Sequence, residues 1–138
     1  MKKGLSDGTM EVISTDHAPH TADEKNNSMV KAPFGIVGME TAAALTYTEL
    51  VLGGYLTPMQ MVEKMSYNPA QILHLKKGTL EEGSMADVML FDPECTYAID
   101  KNQFWSKAKN TPFHGRKVTG KVMMTICEGK IVYDAAEE

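Results

Sequence analysis

Apolar and polar positions along this chain follow two different periodicities, one typical of strands and one typical of helices. Residues 11–15 (EVIST) predict a strand, because β-branched residues and an apolar pair suit burial on both faces of a parallel sheet. A polar segment over residues 17–37 follows, interrupted by Pro19, Pro33 and Gly35. A loop of that length is usually kept for a functional reason, so we expect a lid over a substrate.

Helical spacing of apolar residues begins near Gly38. It continues over residues 38–52, and Gly53-Gly54 supplies the left-handed residue that ends a helix. The string Thr57-Pro58-Met59-Gln60 combines a capping box with proline at the first helical position, so it predicts a second helix. The methionines that recur at helical intervals here are interpreted as core filling.

A third short helix is predicted directly after the second. Asn68-Pro69 has the residue types of a cap followed by a first helical position. We expect Asn68 to cap this helix, which should run to about Leu75 and contain His74.

After Gly78 the spacing of the apolar residues becomes typical of strands. A turn is predicted at Glu82-Gly83 and a tight turn at Glu128-Gly129. The strands between and after them are expected at residues 86–91, 118–126 and 131–133. The chain therefore divides into a part with helices, residues 1–76, and a β-rich part, residues 77–138.

Composition narrows the function classes. The net charge of −4, with 14 scattered Lys and Arg residues, argues against a nucleic-acid surface. No apolar run approaches the roughly 20 residues that span a bilayer, and residues 1–5 lack a signal-peptide core, so we expect a cytoplasmic location. Cys95 and Cys127 form no CxxC pair and are expected to be buried or idle rather than bridged.

The string STDHAPHTADEK, residues 14–25, carries the candidate chemistry. Asp16 falls at the carboxyl end of the first predicted strand, the end that opens onto the loop side in (β/α) folds. An acid there commonly ligates a metal or moves a proton. On spacing alone an equal alternative stays open, in which Asp16 caps a turn and His17 and His20 are polar loop residues.

The wider pattern resembles a known family. The string at residues 14–25 is followed by APFGIVGMETA at 32–42, then by Asn68-Pro69-Ala70, KGTLEEGSMADVMLFD at 77–92 and SKAKNTPFHGRKVTGKVMMTICEGKIVY at 106–133. Together these motifs closely resemble dihydroorotase, a metal-dependent amidohydrolase of pyrimidine biosynthesis, over nearly all of the chain.

The resemblance implies an α/β fold that is a C-terminal fragment of a (β/α)8 TIM barrel. Residues 1–76 would supply the last barrel strand, the active-site loop and helices, and residues 77–138 part of a small β-sandwich. At 138 residues the chain is too short for a barrel of roughly 250 residues, and residues 1–5 resemble the interior of the family's sequence. We therefore expect a C-terminal portion of a longer enzyme, with an exposed sheet edge that could pair between copies as a homo-dimer.

The resemblance also implies roles for individual residues. Asp16 would touch zinc and act as general base, and His20 would bind the substrate carboxylate. Pro33 and Gly35 would contact the dihydropyrimidine ring through their backbone, although an ordinary turn is the alternative. His17 matches no family role and is interpreted as a polar loop residue.

The family's other metal ligands are not in this chain. They are a His-x-His pair, a carboxylated lysine and two further histidines, accompanied by an Arg and an Asn that hold the substrate. Zinc catalysis usually needs about three protein ligands, so we expect the isolated chain to be inactive and to bind Zn²⁺ weakly or not at all. The basic residues Lys107, Lys109 and Arg116, with His114, favour a solvated loop over an anion site.

Three functions are compatible with these observations. The first is the C-terminal part of a zinc dihydroorotase that interconverts dihydroorotate and N-carbamoyl-L-aspartate. The second is a related cyclic amidase such as a hydantoinase, dihydropyrimidinase or allantoinase. The sequences of those enzymes look different around His20 and around the APFG turn at residues 32–35. The third is a non-catalytic assembly module, with aspartate transcarbamoylase as the expected partner.

Overall fold

A computed structural model describes residues 1–137 of the chain. The helices are α1 (Lys2–Ser6), α2 (Ala22–Lys25), α3 (Met39–Thr46), α4 (Pro58–Val62) and α5 (Asn68–Ile72), with π-helical turns at Tyr47–Val51 and Glu63–Tyr67 and a 3-10 turn at Lys101–Gln103. The strands are β1 (Val88–Ala98), β2 (Lys117–Cys127) and β3 (Lys130–Asp134).

The helix predicted over residues 38–52 is confirmed. It consists of α3 and the π-helical turn that continues it, and Gly54 with a φ of +75° follows its end. Thr41, Ala44 and Thr46 are the buried residues of α3, whereas Met39 at its start is exposed.

The second predicted helix is confirmed, but the predicted cap of the third is wrong. In α4 the Gln60 N–H donates to Thr57 Oγ1 (3.2 Å) and the Thr57 N–H donates to Gln60 Oε1 (2.8 Å), which completes the capping box. Asn68 itself has helical dihedrals, because a π-helical turn joins α4 to α5 without a break. Its side-chain amide donates to the Glu11 carbonyl instead (2.9 Å). His74, predicted inside this helix, lies beyond its end with a φ of +53°.

The strand predicted over residues 11–15 has no ladder within residues 1–137. Its one backbone bond to the helices runs from the Ile13 N–H to the Lys64 carbonyl (3.0 Å). A parallel strand takes its hydrogen bonds from neighbouring strands, and the three described strands pair only with one another. Residues 11–15 therefore lie as an unpaired segment beside the π-helical turn at Glu63–Tyr67 and the start of α5.

Three antiparallel strands form the β-rich part in the order β1-β2-β3. Val88 lies opposite Ile126 and Tyr97 lies opposite Val118. Strand β1 runs seven residues past its predicted end at Phe91, with irregular register around the segment that contains Pro93. The predicted turn at residues 128–129 and the predicted strands on either side of it are confirmed.

A small core joins α3 to the sheet. Ala44 from α3 packs with Ile99 and Val118, and Phe104 and Phe113 close over them. The connection between β1 and β2 is therefore anchored between helix and sheet. Within residues 1–137 no helix combines the length and apolar character that crossing a membrane requires.

Candidate functional site

Asp16 has an unusual backbone conformation. Its φ is +47°, a left-handed value that few residues other than glycine adopt. Its side chain is exposed and makes no hydrogen bond or ion pair to any other part of residues 1–137. The carboxylate is therefore available to a group outside the described chain.

The His17 ring fixes the backbone immediately after Asp16. Its Nδ1 accepts hydrogen bonds from the backbone N–H groups of Gly38 (3.0 Å) and Met39 (3.3 Å), at the start of α3. Because both partners are donors, Nδ1 carries no proton and the ring's proton lies on Nε2. The sequence assigned His17 no role; the structure shows that it joins the two ends of the site loop, which we define as residues 16–38.

Backbone contact closes the site loop further along. The Ala18 N–H donates to the Ile36 carbonyl (2.9 Å). Gly35 has a φ of +105°, and a Cβ built on it would lie 2.4 Å from the Ala18 Cβ. Glycine is therefore required at this position both for its conformation and for its lack of a side chain.

His20 is held within the same loop. Its Nε2 donates to the Phe34 carbonyl (2.9 Å), because a carbonyl can only accept. Its Nδ1 lies 3.7 Å from Glu24 Oε2, and the side chain is 23% exposed. The hydrogen bond of Nε2 to Phe34 places the predicted substrate histidine directly against the turn that contains Pro33 and Gly35.

The carbonyls of that turn are already occupied. Lys25 Nζ donates to the Pro33 carbonyl (2.9 Å) and to the Gly35 carbonyl (3.0 Å). The Gly35 N–H, by contrast, has no acceptor among residues 1–137. A ligand at this turn would therefore meet a free N–H donor at Gly35.

Asn110 reaches the site loop from the connection between β1 and β2. Its side-chain amide donates to the Ala18 carbonyl (3.0 Å) and the Gly35 carbonyl (3.3 Å), and its Oδ1 accepts from the His20 N–H (3.2 Å). Asn110 belongs to the string at residues 106–133, but no role was predicted for it. No local signal links it to the site loop, because it lies 90 residues from His20 along the chain.

The charge beside His20 comes from Glu24 in α2, the short helix within the site loop. Helix α2 has a capping box in which the Thr21 N–H and hydroxyl donate to the Glu24 carboxylate, and these bonds lower the pKa of the Glu24 carboxyl below its ordinary value. Glu24 is therefore charged near neutral pH and adds negative charge on one side of His20.

Residues 1–137 contain no group of three His, Cys, Asp or Glu side chains arranged to hold a metal ion. Asp16 alone does not make up the three ligands that a zinc site usually needs. The described residues thus do not fit a complete metal site.

Three side chains of the basic stretch at residues 107–116 make contacts away from the site loop. Lys109 Nζ donates to the Phe104 carbonyl (2.6 Å), and Arg116 pairs with Glu49. His114 lies 3.6 Å from the Asp100 carboxylate. None of these contacts involves the site loop.

Comparison with known proteins identifies the family. Residues 1–132 match the Amidohydrolase family. The chain therefore belongs to the amidohydrolase family.

Among curated relatives, the chain is similar to several dihydroorotases. It is 50% identical to the dihydroorotase of Clostridioides difficile over 133 residues and 48% identical to that of Bacillus subtilis over 132 residues. In both alignments 96% of this chain is covered, and the chain spans only 31% of the relative's length.

Solved structures that resemble this chain include hydantoinases and dihydropyrimidinases. The L-hydantoinase (dihydropyrimidinase) of Arthrobacter aurescens superposes with a TM-score of 0.89 at 32% identity, and the dihydropyrimidinase of Brevibacillus agri with 0.91 at 27%. Each alignment covers 96% of this chain, and 31% and 30% of the two structures respectively.

Proposed function

We propose that this chain is the part of a dihydroorotase that carries the catalytic carboxylate and the substrate-facing loop. The observation that carries the proposal is the combination of an exposed, conformationally fixed Asp16 with a loop that presents His20 and the Gly35 N–H. The dihydroorotase relatives at about 50% identity favour this substrate over those of the hydantoinases, which are 32% identical or less. The reaction would interconvert dihydroorotate and N-carbamoyl-L-aspartate.

In this proposal Asp16 moves a proton. Hydrolysis adds water oxygen to a ring carbonyl carbon, and the bond from that carbon to the ring nitrogen breaks. The proton lost by the water must reach the departing nitrogen, which is otherwise a poor leaving group. A carboxylate held beside the reacting atoms can accept the proton and then deliver it, and such transfers are worth roughly 10²- to 10⁴-fold in rate.

His20 and the APFG turn would bind the substrate. A substrate carboxylate would compete with the Phe34 carbonyl for the hydrogen bond from Nε2–H of His20. With the ring protonated, it would instead accept a hydrogen bond from Nδ1–H. Because Lys25 occupies the carbonyls of Pro33 and Gly35, we assign the backbone contact with the ring to the Gly35 N–H. Pro33 then contributes shape and the fixed entry into the turn.

Zinc belongs to the proposal as the cofactor of the complete enzyme. It would polarise the carbonyl and lower the pKa of bound water when present. Asp16 is the one described residue assigned to it, so the remaining ligands would come from polypeptide outside this chain.

The architecture and partners complete the proposal. We assign residues 1–76 to the closing segment of a TIM barrel and residues 77–138 to a composite β-sandwich. The unpaired backbone of residues 11–15 supports the first assignment, since neighbouring strands would complete it. A cytoplasmic location, association with aspartate transcarbamoylase and a homo-dimer remain predictions of the same kind.

A chimera tests the proposed function. The matching 132 residues of the Bacillus subtilis dihydroorotase, which are 48% identical, would be replaced by those of this chain. We expect the purified chimera, supplied with zinc, to hydrolyse dihydroorotate faster than hydantoin or dihydrouracil. A preference for hydantoin or dihydrouracil would favour the related cyclic amidases. Absence of all three activities in a folded chimera would favour the assembly module.

A further inference from the structure

We propose that Asn110 is a positioning residue that sets the place of His20 and of the Gly35 turn from outside the site loop. Its three side-chain hydrogen bonds go to three different points of the loop, namely Ala18, His20 and Gly35. The consequence for substrate binding rests on the proposed function, whereas the structural part of the proposal does not.

The chemistry of an amide fits these three partners. The His20 N–H needs an acceptor, while the Ala18 and Gly35 carbonyls need donors. Asparagine supplies both from one short planar group, whereas aspartate would turn a second acceptor toward two carbonyls. The backbone of Asn110 adds a fourth bond, because its carbonyl accepts from the Val37 N–H (3.2 Å).

The segment that carries Asn110 is itself well anchored. Phe113 packs on the core of Ala44, Ile99 and Val118. The Thr111 N–H donates to the Lys109 carbonyl (2.9 Å), and Lys109 holds the Phe104 carbonyl. Asn110 therefore holds the site loop in a fixed position relative to the core between α3 and the sheet.

Asn110 and His17 act on different parts of the loop. His17 ties the residue after Asp16 to the start of α3, whereas Asn110 touches His20 and Gly35. Loss of the Asn110 side chain should consequently weaken substrate binding while leaving proton transfer by Asp16 largely intact.

Hydrogen exchange on the 138-residue chain tests the structural part. We expect Asn110→Ala to speed exchange of the His20 amide by about tenfold or more, the effect of losing its one acceptor. Asn110→Asp keeps that acceptor, so the His20 amide should stay protected while the Val37 and Ala18 amides exchange faster. The matched control is Asn102→Ala, because Asn102 is exposed on the same connection and its side chain has no partner within residues 1–137.

Two results would overturn this part. One is unchanged exchange at His20 in Asn110→Ala. The other is a uniform increase over β2 and β3 in both Asn110 variants, which would mean that Asn110 serves overall folding.

Steady-state kinetics in the chimera test the consequence. Asn110→Ala should raise KM for dihydroorotate about tenfold with kcat changed less than threefold, as expected for loss of a binding contact. A fall in kcat of about tenfold with unchanged KM would overturn the assignment to substrate positioning. An inactive unsubstituted chimera would count against the proposed function alone, and the exchange experiment would still decide where Asn110 acts.

Discussion

Single residues in the site loop are held in costly conformations by contacts that the fold supplies. A residue other than glycine with a φ of +47°, such as Asp16, costs of order 1–3 kcal/mol and persists where its surroundings fix it. The bonds from Gly38 and Met39 to the His17 ring, and from Ala18 to Ile36, provide that restraint. The backbone that carries the Asp16 carboxylate is thus held in one conformation before any substrate arrives.

Substitution of Gly35 tests this restraint. Gly35→Ala should lower the free energy of unfolding by more than the roughly 1–2 kcal/mol that a left-handed alanine costs, because its Cβ would also lie 2.4 Å from that of Ala18. The matched control is Gly83→Ala, where φ is +86° and the space around the Cβ is open. Urea denaturation followed by circular dichroism measures both. Equal losses in the two variants would mean that Gly35 is required for its conformation alone.

At the scale of elements, a charged pair ties the end of the helical part to the hairpin. Lys77 pairs with the Asp87 carboxylate, which also accepts the Glu128 N–H (2.8 Å) in the turn between β2 and β3. The ion pair and that N–H lower the pKa of the Asp87 carboxyl, and the hydrogen bond and charge of Asp87 raise the pKa of Lys77. The pair therefore stabilises the fold only while both groups are charged.

The pH dependence of this pair follows from those directions. The contribution of Asp87 is complete above its ordinary pKa of about 3.9 and is lost as the pH falls through its lowered folded value. That of Lys77 is complete below its ordinary pKa of about 10.4 and is lost as the pH rises through its raised value.

Asp87→Asn should therefore lower the urea midpoint at pH 7 and lower it less at about pH 3, below the ordinary pKa of the carboxyl. The control is Glu82→Gln. It removes the same charge from an exposed side chain that has no partner in the described chain. A deficit in Asp87→Asn that is the same at both pH values would contradict the charge argument.

Local signals predicted most elements correctly, and the errors have physical causes. The capping box at Thr57 and the turn at Glu128-Gly129 are short-range devices, so the sequence was sufficient for them. Asn68 has the residue type of a cap, yet the helix runs through it because tertiary packing gives its amide the Glu11 carbonyl. The strand predicted at residues 11–15 does not form within residues 1–137, because an apolar pattern makes a strand only where neighbouring strands supply its hydrogen bonds.

The candidate site shows the same division. Asp16, His20, Pro33 and Gly35 were predicted from two motifs and their resemblance to a family, and the structure places the His20 ring against the turn that contains Pro33 and Gly35. Asn110 was not predictable in this way. Its contacts join segments 90 residues apart, and only the fold shows that they meet.

At the scale of the whole molecule, the sheet has two unpaired edges within residues 1–137. Strand β1 is irregular and contains Pro93, which disfavours further pairing. Strand β3 is short and exposes Ile131 (60%) and Val132 (62%). An exposed apolar edge of this kind is a template for pairing with another chain.

We therefore predict that the 138-residue chain self-associates through β3. Val132→Lys should shift sedimentation velocity profiles toward the monomer, because a charge at an edge strand opposes pairing. Val30→Lys places the same charge at an exposed valine far from the sheet and should leave the profile unchanged. A monomeric unsubstituted chain, or equal shifts in both variants, would contradict this assignment.

The central claim is that Asp16 is the catalytic carboxylate of a site completed by polypeptide outside this chain. The most direct measurement is dihydroorotate hydrolysis by the chimera, by its Asp16→Asn and Asp23→Asn variants, and by the isolated chain. We predict activity in the chimera and in Asp23→Asn, a fall of roughly 10²- to 10⁴-fold in kcat for Asp16→Asn, and none in the isolated chain above a zinc blank. Full activity of the Asp16→Asn chimera, or hydrolysis by the isolated chain, would contradict the claim.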